Sequence, residues 1–87
     1  MPYAAMIDPT ESTRRRMVKT INDNAGDRAE LEHLHGKVWD THELQAEFTV
    51  VAFMAPYVTV KRKTDGVRGT MLFQHSPRLY YAFQEIQ

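Results

Sequence analysis

His33, His35, His42 and His75 are the side chains best suited to hold a metal or to move a proton near neutral pH. On a helix, residues two apart point roughly 200° away from each other, whereas ligands sharing a helix stand three or four apart. His33 and His35 fall where a helix is expected, so they would diverge. The chain has no cysteine, which excludes thiolate metal sites, thiol nucleophiles and disulfides. No metal site and no cofactor are expected.

Ser76 beside His75 has the residue types of nucleophilic catalysis. It lies in a proline-containing turn, without the Gly-x-Ser-x-Gly elbow that exposes and orients a nucleophile. Glu43 and Glu47 stand one helical turn apart, a spacing that suits paired carboxylates and an ordinary solvated helix face equally well. No catalytic residues are assigned. A chain this short rarely builds a convergent pocket, so it reads as a binding protein rather than an enzyme.

The formal net charge is zero, but it is unevenly distributed. Residues 20–50 carry a net charge of minus five, residues 1–19 plus two and residues 51–87 plus three. Arg14, Arg15, Arg16 and Lys19 form a cationic collar on the first helix. Lys61, Lys63 and Arg68 are expected on the solvent face of a hairpin, beside Tyr57. Such a surface would hold phosphates by charge and stack a base on the tyrosine, which makes nucleic acid one candidate partner. The neutral total and the acidic middle argue against it. Lysines on an edge strand also discourage strand addition, which gives Lys61 and Lys63 a structural reading.

Nine aromatics and five methionines are more than one small core readily hides. Strand alternation would turn Tyr57, Leu72 and Tyr80 away from the main core, and the apolar stripe of the first helix is thin: Met17, Val18 and Ile21. Met17, Ile21, Tyr57, Leu72 and Tyr80 are therefore the expected seam of a homo-oligomer, which is the favoured function, a protein-interaction module. The apolar runs are too short to span a bilayer, and the first residues lack the basic stretch of a secretion signal. A cytoplasmic protein without membrane contact is expected.

The elements that must position these residues are marked by local signals. Asp8-Pro9-Thr10-Glu11 combines a capping aspartate with a first-turn proline and predicts a helix over 9–22. Asp27 with Glu30 starts a second helix that carries Ala29, Leu31 and Leu34 and stops before Gly36. Asp40 with Glu43 starts a third that ends near Glu47, with Trp39 placed to pack on Leu44. β-Branched and aromatic residues then predict a strand over 48–53 and a break at Met54-Ala55-Pro56.

Asp65-Gly66 marks the turn of the hairpin. A two-residue loop would set Val58 opposite Phe73 and Val60 opposite Met71, with both turn residues at positive φ. After a turn at Ser76-Pro77, a last strand over 79–83 is expected to place Leu79, Tyr81 and Phe83 on one side. The predicted class is α+β in a single small domain, 1–87, whose N-terminal helices cover the apolar face of a three- or four-stranded antiparallel meander.

Overall fold

Residues 11–86 are described in the computed structural model. Helix α1 spans Glu11–Asp23, α2 Arg28–His35 and α3 Thr41–Glu47. The strands are β1 Val38–Trp39, β2 Phe48–Met54, β3 Tyr57–Arg62, β4 Arg68–His75 and β5 Arg78–Glu85. All pairings are antiparallel, in the order β1-β5-β4-β3-β2. The α+β class is as expected, but the sheet has five strands rather than three or four. The additional strand is β1, where Val38 pairs with Tyr81 and Trp39 with Tyr80.

The caps behave as their chemistry dictates. Asp27 accepts from the Glu30 backbone N–H at 2.9 Å, and Gly36 ends α2 at φ +80°. Asp40 accepts from the Glu43 N–H at 2.7 Å while the Glu43 carboxylate accepts from the Asp40 N–H at 3.0 Å, completing the predicted reciprocal box. Trp39 and Leu44 lie in one buried cluster, as that motif implies. The proposed start of α1 at Asp8, Pro9 and Thr10 lies outside the described residues.

Alternation gives the sheet two apolar faces, where one was expected. Val58, Val60, Met71, Phe73 and Tyr80 share the first face with Phe48, roofed by Leu44 of α3 and by Trp39. Leu79 and Tyr81 share the second face with Leu72, covered by Leu31 of α2 and by Val38. α1 also approaches the second face, where the Tyr57 hydroxyl lies 3.8 Å from the Met17 sulfur. No residue of α1 is fully buried, in keeping with its thin stripe. Leu34, expected to be apolar cover, is 71% exposed.

The hairpin register differs from the two-residue loop. Val58 faces Met71, Val60 faces Gly69 and Lys61 faces Arg68. The loop is four residues, 63–66, closed by the Arg62 N–H donating to Val67 O at 2.7 Å, with the Gly66 N–H donating to Arg62 O at 2.8 Å. This loop needs positive φ only at its last residue, Gly66, at +74°. Asp65 instead braces the loop through its side chain, accepting from the Val67 N–H at 3.1 Å and from the Arg62 guanidinium at 2.7 Å. A slip of two residues keeps every side chain on its face and changes only its partners.

Leu79, Tyr81 and Phe83 do not share a side. The register of β4 and β5 shifts between Thr70 and Leu72, and Ala82 in β5 has φ +58°. This bulge moves Phe83 to the first face, where its ring lies 5.2 Å from that of Phe48. Tyr80, expected to face away from the core, is 3% exposed within it.

Gln74 ties the helices to the sheet. Its buried amide accepts from the Gly26 N–H at 3.2 Å and donates to Gly26 O at 2.7 Å and Pro77 O at 3.1 Å. Every polar atom of that side chain is thus occupied, as burial requires.

Candidate functional site

β2 is a terminal strand of the sheet, and its sequence, Phe-Thr-Val-Val-Ala-Phe-Met, contains no ionisable side chain. Val51 is 46% exposed, Phe53 53% and Met54 56%; Tyr57, which pairs with Met54 across the turn, is 36% exposed. The corner formed by β2 and the start of β3 is therefore apolar and open to solvent. A bulge at Val51 separates the Val50–Val60 pair from the Ala52–Thr59 pair.

Phe53 lies on the first face, edge-on to Phe73 with ring centroids 5.6 Å apart. The Arg78 guanidinium sits 4.5 Å from the Phe73 ring centroid, 5.5 Å from Tyr80 and 5.8 Å from Phe53. Arg78 also donates through Nε to the Tyr80 hydroxyl at 3.1 Å, and its Nη1 lies 3.1 Å from His75 Nδ1. A planar cation over aromatic faces is the arrangement arginine favours. Phe53 thus projects from a fixed platform. On the other face, Met54 and Tyr57 continue the apolar corner toward Met17.

Of the expected seam, Met17 and Tyr57 come together and Ile21 is half-buried on α1. Leu72 packs partly buried against the second cluster. Tyr80 is enclosed by the first cluster and does not join them.

The cationic residues are divided among separate contacts. Arg15 pairs with Glu11, Lys19 with Asp23 at 2.7 Å, and Arg62 with Asp65 at 2.7 Å and Glu85 at 3.5 Å. Arg14 reaches Ala55 O at 3.5 Å, and Arg16 is exposed. Lys63 is in the hairpin loop rather than on the strand face, and its Nζ donates to Gln45 O at 2.6 Å. Lys61 and Arg68 remain directly opposite each other on the second face. β3 is an interior strand between β2 and β4, so edge protection does not account for Lys61.

Glu43 and Glu47 are committed to ion pairs. The Arg28 guanidinium, 2.7 Å away, holds the Glu43 carboxyl below its ordinary range, helped by the Asp40 backbone N–H. Lys37, 3.0 Å away, does the same for Glu47. Both carboxylates shift away from the neutral range in which a general acid or base works best. Arg28 also donates to Val38 O at 2.9 Å, linking α2, β1 and α3.

His35 lies against Tyr81, with ring centroids 4.7 Å apart. Among the described residues, no group of three or more histidines, aspartates or glutamates is arranged to hold a metal ion, and no helix is long and apolar enough to cross a membrane.

Comparison with protein-family models, curated proteins and solved structures finds no match to this chain. The open corner at β2 was not singled out by sequence reasoning. Its signal is legible, however: seven consecutive uncharged residues in the first strand of a meander, which meander topology places at an edge.

Proposed function

We propose that this protein is a protein-interaction module that self-associates through the apolar corner of the sheet. The observation that carries the reading is the exposure of Val51, Phe53, Met54 and Tyr57 together on one uncharged strand and the turn beside it. Apolar surface exposed at one corner costs free energy in water, and that cost is recovered when a partner covers it. Aromatic and methionine side chains are the types enriched at the centres of interfaces.

Light scattering over a dilution series tests the proposal. At micromolar concentration the mass is expected to be at least that of two chains, falling toward one on dilution. A mass of one chain at every concentration would overturn it.

Nucleic-acid binding is the second reading, and one observation favours it. Lys61 and Arg68 stand directly opposite each other in β3 and β4, although like charges in that position repel. A phosphate between them would relieve the repulsion. The uncharged corner gathers four exposed apolar side chains against this single pair of cations, so self-association is the leading reading.

A further inference from the structure

We propose that β2 pairs antiparallel with β2 of a second copy across a two-fold axis, giving one continuous sheet with five strands from each copy. This rests on the self-association reading above and specifies how the contact is made: through backbone hydrogen bonds as well as apolar side chains.

The backbone supplies the first argument. On the inner side, Glu47 O accepts from the Lys63 N–H at 2.9 Å, and Thr49 faces Lys61. Strand alternation then turns the N–H and C=O groups of Val50 toward the free edge, whereas the Phe48 N–H is spent closing α3 on Leu44 O. An unpaired edge is a template for another strand unless charge, proline or shortness blunts it. β2 contains no charge and no proline, and at seven residues it is of ordinary length. The bulge at Val51 twists the edge and confines regular pairing to the residues on either side of it, but it leaves the outward groups of Val50 in place.

The second argument identifies a second copy as the occupant. The opposite edge of the sheet is β1, only two residues long and flanked by α2 and α3. Among the described residues β2 is the longer of the two edge strands, so growth by β2 on β1 is disfavoured and pairing of β2 with β2 closes at two copies. A two-fold axis perpendicular to the sheet keeps each face continuous with the same face of the other copy. Val50 and Phe53 would then meet apolar residues of the second copy's β2. No like charges oppose each other, because the strand has none. Phe53, now 53% exposed, would be covered.

The test is Val50→Pro. Its N–H points outward, so proline removes a donor that only a partner strand would use, while an edge strand tolerates the substitution. Light scattering is expected to show the unmodified protein as a dimer at micromolar concentration and Val50→Pro as a folded monomer by circular dichroism. Hydrogen exchange on the unmodified protein provides a second readout that does not depend on the variant folding. The Val50 amide is expected to slow by about tenfold or more as concentration rises through the dimer transition.

A Val50→Pro dimer, together with concentration-independent exchange at Val50 in the unmodified protein, would overturn strand pairing and leave association through the apolar corner standing. A monomer at all concentrations would overturn both. A protein that stays monomeric, with that amide slowing only when an unrelated extended peptide is added, would overturn the second copy as occupant.

Discussion

Gly66 occupies the one position in the 57–74 hairpin where the backbone takes a positive φ. Its φ of +74° follows from the four-residue loop, whose last residue must turn left-handed to bring Val67 O onto the Arg62 N–H. The requirement for glycine was legible in Asp65-Gly66, but the role of Asp65 was not. That residue acts through its carboxylate, held below its ordinary range first by Arg62 and then by the Val67 N–H. A propensity argument sees only that aspartate suits turns, whereas the brace depends on the loop bringing Arg62 back beside it. Replacing Gly66 with Val should cost roughly 1–3 kcal/mol, because a β-branched residue is forced into left-handed backbone. Thermal or denaturant melting measures it, and an unchanged midpoint would mean that the loop does not depend on that conformation.

The caps of α2 and α3 were legible at the element scale because each is a local contact spanning four residues. The strand pairings were only partly so. Alternation fixes which face a residue joins but leaves the register free to slip by two, and the four-residue loop takes that slip. β1 escaped detection because its two residues, Val38 and Trp39, carry no periodicity; pairing with β5 makes them a strand. The bulge at Ala82 was also hidden, since alanine gives no sequence sign of positive φ. Its consequence can be tested at Gly69. With Phe83 moved to the first face, a Cβ added to Gly69 would lie 2.2 Å from Phe83 Cε1 and 2.7 Å from Gln84 O, closer than van der Waals contact allows. Gly69→Ala should therefore destabilise the fold by about 1–3 kcal/mol, the usual cost of forcing an extra carbon into a packed site. If the variant melts with the parent, Phe83 does not cover Gly69 in solution.

At the scale of the whole molecule, the segregated charge was legible in the sequence, but its disposition was not. The sequence suggested a cationic collar on the first helix and a cationic face on the hairpin. In the folded chain, Arg15, Lys19 and Arg62 are paired with nearby carboxylates, Lys63 is turned toward Gln45, and Lys61 and Arg68 form a separate pair on the sheet. The apolar corner is at the β2 edge instead. Salt separates the two readings, because phosphate binding weakens steeply as counterion release loses its advantage, while a largely apolar interface does not. Labelled single- and double-stranded oligonucleotides would be titrated at low and moderate salt, with the unmodified protein and with Lys61, Lys63 and Arg68 all changed to Glu. The self-association reading expects no salt-dependent oligonucleotide binding and a dimer that persists in the triple variant, because none of the three residues lies on β2. Binding that falls with salt and disappears in the triple variant would establish the Lys61–Arg68 pair as a phosphate contact. Loss of the dimer in a triple variant that remains folded would instead move the interface from the uncharged edge to the charged face of the hairpin.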